Sequence, residues 1–112
     1  MKNSNRKSNI KIEVGLDDNN VPETLSWSAV DGGVENQNTK ALLLSVWDDL
    51  NKEALRVDLW TKDMPMEEMK MFFHQVFSTM ANTYETATSE KEVALKIRLF
   101  AEEFAVAAGI RD

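Results

Sequence analysis

Leu55–Tyr84 reads LRVDLWTKDMPMEEMKMFFHQVFSTMANTY, and a change of period inside it decides the fold. Leu55, Val57 and Leu59 alternate with Arg56, Asp58 and Trp60, which is the period of two of a strand. After Asp63 the apolar residues return every three or four positions. Met66, Met69, Phe72, Phe73, Val76, Phe77, Met80 and Tyr84 then cover little more than a third of a helix circumference, a packing stripe rather than a cofactor box. Pro65 suits the first helical position, with Glu67 and Glu68 in the first turn, where the helix dipole favours anions. Met71 falls off the stripe, among Gln75, Ser78 and Asn82.

Upstream, Thr39 to Asp48 is apolar on two faces: Leu42, Leu44 and Val46 on one, Ala41, Leu43 and Trp47 on the other. A turn over Asp49 to Lys52 joins it to the strand that opens the quoted stretch. With Asp48 opposite Glu53, Val46 meets Leu55, Leu44 meets Val57 and Leu42 meets Leu59 on a core face. A slip of one residue would turn every side chain over, so the other face follows: Trp47 by Ala54, Ser45 by Arg56, Leu43 by Asp58 and Ala41 by Trp60. Two tryptophans and a leucine beside two charges are either covered by the tail, the 31 to 38 loop or a neighbouring strand, or they form a partner surface.

Further upstream, Ile10, Ile12, Val14 and Leu16 alternate with polar residues, and Leu25, Trp27 and Ala29 resume the alternation after the turn residues Asp17 to Asn20. Placing Leu16 opposite Leu25 pairs Val14 with Trp27 and Ile12 with Ala29. Asp31-Gly32-Gly33 and the polar residues to Asn38 read as a loop. Downstream, Thr83 to Thr88 marks a junction between helices, Ser89 and Glu92 form a capping box, and Gly109 is a stop. Val93, Ile97, Phe100, Ala101, Phe104 and Ala108 make one apolar face of the last helix. Leu95, Leu99 and Val106 make a second, for the first helix or another molecule to cover.

The reading is an α+β fold: a four-stranded antiparallel sheet of two β-hairpins, followed by two C-terminal α-helices packed on one face. Trp27, Leu44, Val57, Phe73 and Phe77 are expected inside. Residues 1–9 read as a disordered polar tail and 10–112 as a single domain. At 112 residues and 43% hydrophobic, one core is affordable, with about 60 to 70% of the unfolded surface buried.

Charge and composition exclude several classes. The chain has 13 basic and 19 acidic residues, a net charge of −6, and three of the basic residues sit in the first nine. Nucleic-acid binding draws on clustered Lys and Arg, so none is expected. Cysteine is absent, which removes disulfides, thiolate metal sites and cysteine nucleophiles. No apolar run approaches the ~20 residues of a membrane span and the start is too polar for a signal peptide, so the expectation is a cytoplasmic protein with no membrane insertion.

Catalytic machinery is not visible. His74, the one histidine, stands on the flank of the first helix with no base or carboxylate assigned beside it, and reads as a boundary residue with one hydrogen bond. The paired acids Asp17/Asp18, Asp48/Asp49, Glu67/Glu68 and Glu102/Glu103 are sequence neighbours that point apart on a regular element. Asp17 to Asn20 lacks the spacing of an EF-hand loop. The expectation is therefore no enzyme, no cofactor and no metal.

Three phrases, VPETLSWSAVDGGVE (21–35), TKALLLSVWD (39–48) and LRVDLWTKDMPMEEMKMFFHQ (55–75), resemble the GldC family of gliding-motility proteins from Bacteroidetes. The resemblance covers most of residues 10 to 88, and Arg56, Asp58, Trp60, Thr61, Pro65, Phe72, Phe73 and His74 follow in the family's order. It implies a cytoplasmic accessory component of a motility machine coupled to secretion, with no cofactor, no assigned activity and no catalytic residues to carry over. Two alternatives stay open: a small acidic chaperone or adaptor for a secreted or membrane-associated partner, and a small-ligand-binding or hydrolytic domain around His74. The expected partner is a protein, from the gliding or secretion machinery or a second copy. The residues expected to meet it are Leu43, Trp47, Arg56, Asp58 and Trp60 on the sheet, and Met71, Leu95, Leu99 and Val106 on the helices.

Overall fold

The computed structural model describes residues 6–112. Residues 1–5 of the expected tail lie outside the described residues, and residues 6–10 carry no regular secondary structure. The chain forms two compact units that divide between Met64 and Pro65, and each is described by itself.

The first unit holds five strands. β1 (Lys11–Leu16), β2 (Pro22–Ala29) and β3 (Val34–Thr39) form an antiparallel sheet in that order. β4 (Ala41–Asp48) and β5 (Glu53–Trp60) form a separate two-stranded ribbon. The expected single sheet of four strands is thus a three-stranded sheet and a ribbon. The missed strand, VENQNT, has no apolar alternation because it is an edge: backbone bonds hold it to β2 while its polar side chains stay in water. Asn36, with φ 49°, bends it, and its N–H donates to Ser28 Oγ at 2.9 Å.

The β4–β5 register agrees with the sequence reading residue for residue, from Ala41 opposite Trp60 to Asp48 opposite Glu53. The four-residue turn is closed by Lys52 N–H to the Asp48 carbonyl at 2.8 Å. The first hairpin differs. Val14 lies opposite Leu25 and Ile12 opposite Trp27, with Leu16 against Pro22 after an irregularity at Gly15. The shift is two residues, which keeps the apolar residues on one face. Its cause is a tighter turn, in which the N–H groups of Asn19 and Val21 both donate to Asp17 Oδ1 at 2.8 and 3.0 Å. At Gly15 a Cβ would stand 2.1 Å from Thr24 Oγ1, so a side chain there requires the Thr24 hydroxyl to turn away.

Leu25 is the buried centre of the three-stranded sheet and Trp27 is half-buried. Leu44 and Val57, expected inside, are exposed, as are Val46 and Leu55. Just past the end of β5, Lys62 N–H donates to the Pro22 carbonyl, but among the described residues no strand of the sheet pairs with β4 or β5.

The second unit is a helix pair, α1 (Met66–Thr88) and α2 (Lys91–Ala107). Pro65 is the extended residue that caps α1, φ −68° and ψ 140°, rather than its first helical residue. Its carbonyl accepts from Met69 N–H at 3.0 Å. The expected capping box at Ser89 does not form: α1 runs to Thr88, and Ser89 takes a left-handed conformation, φ 62°, to end it. Glu90 precedes α2 instead, its N–H bonded to Thr88 Oγ1. Gly109, φ 79°, ends α2, and Ile110 N–H reaches back to the Ala105 carbonyl at 2.9 Å, as in a Schellman closure.

The helices meet along Ala81, Ala94, Ala101 and Ala105, the buried residues of the pair. Beside that line the Phe77 ring stands edge-on to Phe73, Phe100 and Phe104, with centroids 6.0, 5.2 and 5.1 Å away. Met66, Met80, Val93 and Phe100, placed on the core stripes by periodicity, are exposed. Alanine lets the backbones approach closely, so the contact lies to one side of the bulkier stripes.

Candidate functional site

Alternation places Leu43, Trp47, Arg56, Asp58 and Trp60 on one face of the β4–β5 ribbon. Leu43 lies opposite Asp58, Ser45 opposite Arg56, Trp47 opposite Ala54 and Ala41 opposite Trp60. Trp47 is 64% exposed and Trp60 54%. Between them Arg56 donates to both oxygens of Asp58, Nη2 to Oδ1 at 2.8 Å and Nε to Oδ2 at 3.3 Å. A two-pronged bond of this kind fixes the orientation of the guanidinium.

The C-terminal end of β5 is held firmly. Thr61, 3% exposed, donates its hydroxyl to Asp63 Oδ1 at 2.6 Å, and its N–H bonds to the Lys40 carbonyl at 2.8 Å. Lys40 Nζ reaches the other Asp63 oxygen at 3.2 Å. The Thr61 hydroxyl, then Lys40, hold the Asp63 carboxyl below the usual carboxylate range. Next to it Lys62 Nζ lies 3.1 Å from Asp17 Oδ2 and 3.3 Å from Glu23 Oε2. The Asp17 carboxyl is likewise held low, by the Val21 N–H first, then Lys62 and the Asn19 N–H. These two clusters anchor Trp60 at the end of its strand.

On the helix pair, Met71, Leu95, Leu99 and Val106 are all exposed. The three α2 residues share one side of that helix, whereas Met71 stands alone on α1. The structure therefore brings five of the nine expected residues together on the ribbon and three on α2.

His74 is not isolated. Its Nε2 is buried and lies 3.5 Å from Glu102 Oε2, near enough for an ion pair but without an aligned hydrogen bond. Glu102 also accepts from Arg111. The expectation of no carboxylate neighbour is overturned, because Glu102 projects from α2 and sequence distance concealed the approach. Among the described residues no three His, Asp or Glu side chains converge as a metal site would require. An open hollow of about 380 Å³ is lined by Asn82, Glu85, Thr86, Ser89, Lys91 and Arg98. Its main cation is engaged, since Arg98 donates to Asn82 and to Glu85 at 2.9 Å each.

The family model described as gliding motility-associated protein GldC-like matches residues 22–110. The chain belongs to this GldC-like family. The match begins at the first residue of β2 and runs past the end of α2, so the ribbon and both helices lie within the family's extent and β1 lies outside it. The resemblance legible in the sequence stopped near Thr88, one helix short. No curated protein and no solved structure matches the chain. No described helix is long and apolar enough to cross a membrane.

Proposed function

We propose that this GldC-like protein is a non-enzymatic, cytoplasmic accessory component of the bacterial gliding machinery, and that it works by protein–protein contact through the Trp47/Trp60 face of the ribbon. The observation that carries this reading is the exposure of both tryptophans on either side of the Arg56–Asp58 pair. Tryptophan presents a large rigid area and arginine a directional charge, the residue types that dominate binding energy at interfaces. Family membership supports the motility context.

The test is capture from gliding cells on the tagged chain, with the wild type beside Trp47→Ser and Trp60→Ser. The expected result is loss of the captured partner with circular dichroism and melting unchanged. An undiminished catch by both variants, or variants that unfold, would overturn the assignment of this face.

A further inference from the structure

We propose that the β5 edge is a self-recognition site, at which a second copy of this chain adds its own β5 antiparallel about Val57 to make a continuous sheet β4-β5-β5-β4. This rests on the contact reading above only in using the same ribbon. It assigns the edge to a second copy and leaves the tryptophan face for other proteins.

Among the described residues, β4 and β5 make no interstrand backbone hydrogen bond except with each other. A two-stranded ribbon is marginal by itself and gains stability from further strands. Of the usual protections against pairing, the β5 edge has charges, Glu53, Arg56 and Asp58, but not the backbone ones. It runs eight residues without proline, glycine or a bulge.

The register follows from the side chains. A two-fold axis that continues each face of the ribbon into the same face of its copy pairs residues of equal parity. Centring on Arg56 would set arginine on arginine, and centring on Asp58 would set aspartate on aspartate. Centring on Val57 sets Arg56 opposite Asp58 of the copy at two symmetric positions, Leu55 opposite Leu59, and Ala54 opposite Trp60. Ala54 already lies beside Trp47, so each small alanine would sit between two large indoles. On the other face Leu44 and Val57 would run unbroken into their copies. A self-complementary patch of this kind is what an isologous dimer requires. β4 carries no charge before Asp48, so nothing along it selects a register.

The test uses the full chain. Sedimentation of the wild type is expected to show a dimer at 100 µM or below, roughly the upper range of specific association. Arg56→Asp and Asp58→Arg are each expected to weaken it at least tenfold, and an equimolar mixture to restore it, since the acidic edge then meets the basic one. The chain has no cysteine, so Val57→Cys provides a sole thiol. Under a short thiol crosslinker it is expected to link two copies, while Leu44→Cys, about 14 Å from its copy at three strand spacings, is not. If a charge variant fails to fold, the crosslink decides. A monomeric wild type, charge variants that associate normally, or crosslinking at Leu44→Cys but not Val57→Cys would each overturn the proposal. A monomer that still captures a partner through Trp47 and Trp60 overturns the self-pairing alone, and a dimer that captures nothing supports it while overturning the contact reading.

Discussion

The imidazole Nε2 of His74 on α1 lies 3.5 Å from the carboxylate Oε2 of Glu102 on α2. This is the one approach between a histidine and an acid in the described chain, and it links the two helices at the flank of their alanine contact. His74 is largely buried, but Glu102 is half-exposed and shared with Arg111, so water screens the pair much as it does at a rim. A double-mutant cycle of His74→Ala and Glu102→Gln is expected to give a coupling of about 0 to 1 kcal/mol. A coupling above about 3 kcal/mol would mean the pair is a buried structural element, and the rim reading would be wrong.

Phe77 is the centre of the aromatic cluster of the helix pair, in edge contact with three other rings. Truncation to Ala is expected to cost about 3 kcal/mol, the low end for a core phenylalanine because the ring is only half-buried. Met80, one turn away on the exposed side, is expected to lose under about 1 kcal/mol on the same change. Denaturant unfolding of the two variants side by side checks the order, and equal losses would contradict the off-centre contact.

Thr61→Val removes a buried hydroxyl that donates to Asp63 at 2.6 Å. A loss of about 1.5 to 3 kcal/mol is expected, since the acceptor is charged. Thermal melts at neutral pH report it, and a neutral substitution would show that the clamp at the end of β5 is dispensable.

Acid should loosen the same region. Asp17 and Asp63 both titrate below the usual carboxylate value in the folded chain. A group depressed on folding contributes stability that is present above its unfolded pKa, about 4, and that is lost as pH falls through the folded value. Stability is therefore expected to fall below about pH 4, and Asp17→Asn together with Asp63→Asn to flatten that fall. A wild-type profile level from pH 5 to 2 would contradict it.

At Gly15 the obstacle to a side chain is the Thr24 hydroxyl 2.1 Å away. Gly15→Ala is expected to destabilise the first hairpin, and Thr24→Ala in the same chain to restore much of the loss. Restoration would fail if backbone conformation rather than this contact requires the glycine.

Legibility in the sequence followed the physics of each element. β4 and β5 were readable to the residue because Leu42, Leu44 and Val46 of one match Leu59, Val57 and Leu55 of the other on a shared apolar face, and the four-residue turn admits one register. β3 was not, because a strand that keeps VENQNT in water is specified by backbone bonding, which leaves no apolar trace. The helices were visible by period, and part of their contact with them, since Phe77, Phe100, Ala101 and Phe104 lie on the apolar stripes; Ala81, Ala94 and Ala105 have too little apolar area to stand out beside methionine and phenylalanine. Alternation put Leu43, Trp47, Arg56, Asp58 and Trp60 on one face of the ribbon, and the β4–β5 register keeps them there. The approach of Glu102 to His74 was hidden because 28 residues separate them in the chain and no periodicity links one helix to the next.

Among the described residues every strand pairing joins neighbours along the chain, β1 to β2, β2 to β3 and β4 to β5, while α1 docks on α2; the bond from Lys62 N–H to the Pro22 carbonyl is a long-range addition to that pattern. Contacts this local ask for little loop closure before they are rewarded, which is the condition for rapid folding. A ribosome adds about 5 to 20 residues per second, whereas a hairpin closes in about 1 to 10 µs. Each pair can therefore close before the next is made. The meander would be complete while the ribbon is still emerging, so the ribbon's unpaired edge, free of proline and bulges, would be most vulnerable to mispairing between nascent chains on neighbouring ribosomes.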